Sequence, residues 1–222
     1  MTPELASDSY HPERPRPVTT TGQLRGIVAI VRSRQDIALE PIIDTIRSGG
    51  VELVELTLTT PGALDAVTRF RNSNPGLPLG MGSVRTGPEA RRAIDAGATF
   101  LVTPTFQPKV LKEARRNGIP VACGAMTPTE VDTAFQRGAD LIKIFPAATL
   151  GGAQYLRELL APMPDLPLAP TGGVTLDSVG SYRKAGAVGL GVGSALFSDA
   201  RLTEGLPALQ QLARAFVDAW TT

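Results

Sequence analysis

A lysine stands inside the apolar, β-branched run DLIKIFPA, residues 140–147. Such a run has the composition of a buried strand. Burying an ammonium is costly unless it is paired or gives up its proton. Lys143 is therefore either half of a buried ion pair or an amine kept uncharged for chemistry. Of the 22 basic residues only Lys109, Lys112, Lys143 and Lys184 are lysines. Arginine is the better buried ion-pair partner, so a lysine in a strand suggests that the amine itself is needed. A desolvated amine is a nucleophile toward carbonyls and forms a Schiff base. Its partner lies in ELVELTLTT, residues 52–60. Side chains alternate along a strand, which puts Leu53, Glu55, Thr57 and Thr59 on one face and Val54, Leu56 and Leu58 on the other. Glu55 is then a buried carboxylate suited to acid/base work.

These two side chains need elements that bring them together. Short apolar runs alternate with longer stretches of helical period along the chain. The runs cover 26–31, 52–58, 77–82, 99–104, 119–124, 141–146, 166–173 and 188–195. Several of the intervening stretches end in a basic residue and a glycine (IRSGG, RRNG, QRGA, RKAG), which suits a left-handed C-cap and the negative end of a helix. Eight βα units of about 25 residues match a (β/α)₈ TIM barrel. An open doubly wound sheet is the alternative, but no second domain is evident. The expectation is a single barrel domain over residues 23–222, after a polar, proline-rich and mobile tail over 1–22. Glu55 on strand two and Lys143 on strand six then face each other across the barrel interior. Both sit in the C-terminal halves of their strands, where barrel active sites are built. Lys143 shares its face with Leu141 and Phe145.

Two further segments suit an anion. APTGGVT (169–175) follows strand seven and VGSAL (192–196) follows strand eight. In phosphate-binding barrels these loops present backbone N–H groups, so Thr171, Gly172, Gly173, Gly193 and Ser194 are candidates; ordinary glycine-rich turns are the alternative. GLGVGSAL also looks like a dinucleotide fingerprint, but no βαβ unit with its acidic residue follows. Arg32 ends strand one on the face of Val28 and Ile30 and is placed to hold a carboxylate with its guanidinium. A solvated loop arginine is the other reading, and Arg85 is a rival for the same task.

Composition excludes several classes. Lys plus Arg is 22 and Asp plus Glu 21, a net charge of +1, unlike the basic excess of nucleic-acid proteins. No apolar run approaches the roughly 20 residues of a membrane span, and the first 20 residues have no signal core. The single cysteine, Cys123, fits a reducing cytoplasm and reads as a buried small apolar residue. The single histidine, His11, lies in the tail, so a histidine metal site or a Ser-His triad in the barrel has no residue to use.

With these residues assembled, GGVELVELTLTTPGAL, LGMGSVRT, FLVTPTF, MTPTE, LIKIFPA, APTGGVTLD and LGVGSAL resemble the class I 2-keto-3-deoxy-6-phosphogluconate (KDPG) / 4-hydroxy-2-oxoglutarate (KHG) aldolases, from about residue 25 to 220. The resemblance implies a cytoplasmic, usually trimeric barrel without metal or other cofactor. It implies a 2-keto acid substrate with pyruvate as product, and no nucleic-acid or membrane partner. It implies Lys143 as the Schiff-base lysine, Glu55 as the acid/base group, and a phosphate site at Thr171, Gly172, Gly173 and Ser194. Phe145, Pro146 and Pro104 match pocket-wall residues.

The sequence also departs from the pattern. Thr59 stands where some members carry a carboxylate-binding arginine; others place that arginine at the end of strand one, where this chain has Arg32. Ser83 replaces a common threonine and keeps the hydroxyl, so Arg32 and Ser83, with Thr59, are the expected carboxylate set. Cys123 replaces a common proline before Gly124. A threonine at the position of Thr59 also occurs in relatives acting on the galactonate epimer, so KHG and 2-keto-3-deoxy-6-phosphogalactonate are alternative substrates. More distant alternatives are a phosphate-binding isomerase or epimerase barrel, and a barrel that only binds a sugar phosphate.

Overall fold

A computed structural model describes residues 24–222 of the chain; the tail expected over 1–22, with His11, lies outside the described residues. Eight strands alternate with eight helices. The strands are β1 (Gly26–Val31), β2 (Leu53–Thr57), β3 (Leu79–Gly82), β4 (Phe100–Val102), β5 (Val121–Ala125), β6 (Leu141–Ile144), β7 (Leu168–Pro170) and β8 (Gly189–Val192). The helices are α1 (Leu39–Ser48), α2 (Ala63–Ser73), α3 (Gly87–Asp95), α4 (Pro108–Arg116), α5 (Pro128–Gln136), α6 (Ala153–Leu160), α7 (Val179–Lys184) and α8 (Leu206–Thr221). All strand pairs are parallel, in chain order from β1 to β7, and β8 pairs with β1. The ring is completed at β7 and β8 by a single bridge, Thr171 with Gly191, and by the Val188 amide donating to the Leu168 carbonyl at 2.9 Å. This is the expected (β/α)₈ barrel rather than an open sheet.

Local chemistry sets the boundaries. Thr86 and Glu89 at α3, and Thr127 and Glu130 at α5, form capping boxes, each satisfying amides that the first helical turn leaves open. Gly118 and Gly138 take left-handed φ after α4 and α5, a conformation that a Cβ penalises. The arginines near the helix C-termini do more than meet the helix dipole. Arg47 donates to the carbonyls of Glu52 and Pro78, Arg71 to that of Leu77 and Arg115 to that of Arg137, fastening the loops at the base of the barrel. The strands end earlier than the apolar runs suggested. Thr59, Pro104, Phe145, Gly172 and Ser194 all fall in turns beyond the strands, because the apolar and small residues continue into the turns that form the barrel mouth.

Side-chain alternation separates two cores. Ile27, Val31, Val54, Leu56, Leu101, Ile142 and Ile144 point outward against Ile43, Ile46, Leu156 and Phe216 of the helices. Burying one such side chain fully is worth about 1.5–3 kcal/mol. Val28, Leu53, Phe100, Val102, Ala122, Leu141 and Ala169 fill the interior, with Leu24 joining them. Cys123 is buried in the outer layer, as its apolar reading required.

Candidate active site

Lys143 projects into the interior from β6 and is 7% exposed. Its registered neighbours are Gly124 on β5 and Ala169 on β7, small residues on either side of a long stem. Its Nζ lies 5.2 Å from the centre of the Phe145 ring, which stands at the mouth just past the strand. Glu55 projects inward from β2 and is 1% exposed. Its room comes from β3: a Cβ on Gly82 would overlap the Glu55 carboxyl, and one on Gly80 would overlap the Phe100 ring. The Glu55 Oε1 atom is buried without a hydrogen-bond partner among the described residues.

Among the described residues no ion pair within 4.0 Å joins Glu55 to Lys143, so the buried-ion-pair alternative does not describe them. Each group responds first to its burial. Desolvation holds Lys143 below the ordinary lysine range; the negative charge of Glu55 opposes this and the positive charge of Arg32 adds to it. Desolvation holds Glu55 above the ordinary glutamate range, against the attraction of Lys143 and Arg32. Both shifts favour uncharged forms.

The mouth carries the polar groups. Arg32 is exposed just past β1, and its Nη2 donates to Ser83 Oγ at 3.2 Å. Ser83 has φ 60°, the sole non-glycine residue with positive φ among the described residues; such backbone costs about 1–3 kcal/mol and concentrates at functional sites. Arg85, the rival, is exposed just before α3, where its backbone amide donates to Glu89 at 2.7 Å. Thr59 is exposed past β2, its hydroxyl 3.1 Å from that of buried Thr57. Beyond β7 and β8, Gly172, Gly173, Gly193 and Ser194 lie in the turns at the mouth, Gly172 and Gly173 at φ 89° and 73°. Thr171 differs from the expectation. Its amide donates to the Ile144 carbonyl at 2.8 Å, and its hydroxyl is buried against Gly191, 3.4 Å from the Ala169 carbonyl. Its amide is thus taken by the sheet. Pro104 is half-buried and its carbonyl packs on Gly124; Pro146 is half-buried beside Phe145. Among the described residues no three His, Cys, Asp or Glu side chains stand together as a metal site.

Sequence reasoning singled out none of Gly80, Gly82, Thr57 and Thr60 as part of the site. The signal for the glycines was present: LGMG places two of them at strand period, one strand away from Glu55.

Fold and site together define a barrel enzyme with a buried amine and a buried carboxylate below a mouth that carries Arg32, Ser83 and two glycine-rich turns. A family model described as "Aldolase: KDPG and KHG aldolase" matches residues 19–215. A 2-dehydro-3-deoxy-phosphogluconate aldolase of Haemophilus influenzae is 32% identical over 142 residues, 64% of this chain and 67% of that protein. A probable 2-dehydro-3-deoxy-6-phosphogalactonate aldolase of Rhizobium meliloti is 30% identical over 176 residues, 78% of this chain and 82% of that protein. Among solved structures, the 2-keto-3-deoxy-6-phosphogluconate aldolase of Zymomonas mobilis with 3-phosphoglycerate superimposes with a TM-score of 0.77 at 26% identity, covering 88% of this chain and 92% of that one. The chain belongs to the KDPG and KHG aldolase family, whose members are carbon–carbon lyases.

Proposed function

We propose that this protein is a Schiff-base aldolase that cleaves 2-keto-3-deoxy-6-phosphogluconate to pyruvate and glyceraldehyde 3-phosphate. The observation that carries the reading is Lys143: a buried amine pushed toward its neutral form, with no carboxylate among the described residues within ion-pair distance to hold its proton. Neutral Lys143 attacks the C2 ketone, and loss of water with uptake of one proton leaves a protonated imine. The imine accepts the electron pair of the C3–C4 bond. Glu55, directly or through one water, takes the C4 hydroxyl proton as that bond breaks. An aldehyde leaves, and the enamine is protonated at C3 and hydrolysed to pyruvate. Arg32 and Ser83, with Thr59, hold the carboxylate. The amides of Gly172, Gly173, Gly193 and Ser194 hold the distal phosphate, with Thr171 fixing their turn; Phe145, Pro146 and Pro104 wall the pocket. Gripping the remote phosphate positions C4, so loss of that grip lowers kcat as well as raising KM.

The same site supports a second reading on the C4 epimer. Thr59 occupies the position where some members have arginine, and a relative named for the galactonate substrate is 30% identical. Turnover of both epimers and of 4-hydroxy-2-oxoglutarate, followed by pyruvate release, ranks the three. The proposal takes residues 23–222 as one catalytic domain, acting as a homotrimer in the cytoplasm. Among the described residues no helix is long and apolar enough to cross a membrane, and sedimentation measures the assembly.

Trapping tests the chemistry. The protein is incubated with pyruvate, reduced with borohydride and mapped by peptide mass spectrometry. A pyruvate-dependent adduct on Lys143, lost in Lys143→Arg together with turnover, is the expected outcome. Absence of any adduct would exclude the imine and leave a carboxylate-driven isomerase.

A further inference from the structure

The mechanism gives no part to Thr57 or Thr60, yet both are buried beside the site. Thr57 follows Glu55 on the inward face of β2 and is fully buried; Thr60 is buried just beyond it, and Thr59 is exposed at the mouth. Their hydroxyls stand in series, Thr60 Oγ1 3.0 Å from Thr57 Oγ1 and Thr57 Oγ1 3.1 Å from Thr59 Oγ1. The series starts at the backbone, where the Ser33 amide donates to Thr60 Oγ1 at 3.2 Å.

The direction of the protons follows by elimination. A buried hydroxyl carries one proton and must place it on an acceptor or bear the cost of leaving it unpaired. Thr60 Oγ1 has two partners among the described residues, the Ser33 amide and Thr57 Oγ1. The amide can only donate, so the Thr60 proton goes to Thr57. Thr57 has then accepted from Thr60, and its remaining partner is Thr59 Oγ1. Its proton goes there. Thr59 has accepted in turn and keeps a free proton at the exposed end. Hydrogen bonds in series polarise one another, so the last donor is strengthened.

We infer that Thr60 and Thr57 are positioning residues that form a one-way hydrogen-bond chain from the Ser33 amide and hold the Thr59 hydroxyl as a donor to the substrate carboxylate. Thr60 has a second effect. By accepting from Ser33 it fixes the residue next to Arg32, and on the far side the Arg34 amide is held by Asp199 Oδ2 at 3.3 Å. One buried threonine thereby sets both the loop of Arg32 and the polarity of Thr59. The inference rests on the proposed placement of the carboxylate among Arg32, Ser83 and Thr59.

The test compares two ketones that differ in charge. Borohydride trapping on Lys143 is titrated with pyruvate and with pyruvamide, which has the ketone without the carboxylate. Thr57→Val keeps the shape and cuts the chain. It raises the half-saturating pyruvate concentration about tenfold, the scale of one hydrogen bond to a charged group, and leaves that for pyruvamide within about twofold. Thr57→Ser restores the wild-type value. In turnover the effect falls on KM rather than kcat. Thr59→Val, at an exposed position, gives the same pattern. Equal weakening of both ketones in Thr57→Val would mark a merely structural role, and unchanged pyruvate trapping in Thr59→Val would equally overturn the inference. If the wild-type protein forms no adduct at all, the imine reading falls and this one with it; an intact wild-type adduct with indifferent variants removes only the chain.

Discussion

Gly82→Ala is the sharpest test of how the site is built. The new Cβ would stand 2.6 Å from Glu55 Cγ and nearer still to the carboxyl itself. Carbon atoms rest at about 3.5–4.0 Å, so the Glu55 side chain must retreat by about 1 Å or more. Gly82 is not at positive φ, so alanine brings no backbone strain and the effect acts through Glu55 alone. A displacement of about 1 Å costs about 10²-fold in rate, which corresponds to about 2.7 kcal/mol of barrier. The assay is pyruvate release read by coupled reduction, with kcat and KM separated. Gly82→Ala should lower kcat about a hundredfold while pyruvate still traps on Lys143, because imine formation does not need the C4 base. In a Glu55→Gln background the same change should add little, since the group it displaces is already inert. Wild-type kcat in Gly82→Ala, or a full further loss in the double variant, would show that β3 does not set the carboxylate.

Other outcomes follow from the same geometry. Burial raises the Glu55 pKa, so the acid limb of kcat should lie above the ordinary glutamate value of about 4.3; a limb at or below it would contradict the desolvated site. The stability consequence has a definite sign: a raised folded pKa means that the contribution of Glu55 is fully present below its unfolded pKa and is lost as pH rises through the folded one. Glu55→Gln should therefore gain in melting temperature over wild type as pH rises from 4 toward 7, and a gap that narrows would refute this. Arg32→Met should raise KM about 10- to 100-fold, matching about 1.5–3 kcal/mol for hydrogen bonds to a charged group, with Tm little changed because Arg32 is exposed. Thr127→Ala removes the cap of α5 and should cost about 1 kcal/mol in denaturant unfolding, with kcat intact.

Lys143 and Glu55 were legible because each is a charged residue in an apolar alternation, and parity alone assigns it a face. The barrel was legible because the alternation repeats eight times with glycines closing the helices. What escaped was information carried by one strand about another. Gly80 and Gly82 are uninformative within LGMG; their meaning is the side chain that β2 or β4 extends over them. Thr60 matters because the β1 loop brings an amide to it, a contact 27 residues apart in sequence. Thr171 looked like an anion donor by loop type, but the sheet had already taken its amide. Strand ends were overrun for a related reason: residues lining a mouth share the small and apolar character of strands.

The seam between β7 and β8 has a consequence of its own. Elsewhere the strands are laced by ladders, whereas these two meet at the bridge of Thr171 and Gly191 and at the Val188 amide on the Leu168 carbonyl. Just beyond it the strands part into turns, and those turns carry Gly172, Gly173, Gly193 and Ser194. A perfectly regular cylinder would have turned these groups on each other. The irregularity in closure leaves these turns at the mouth, where the proposed phosphate grip needs them, and lengthening either strand by one ladder step would draw them into the sheet without altering a single charged residue.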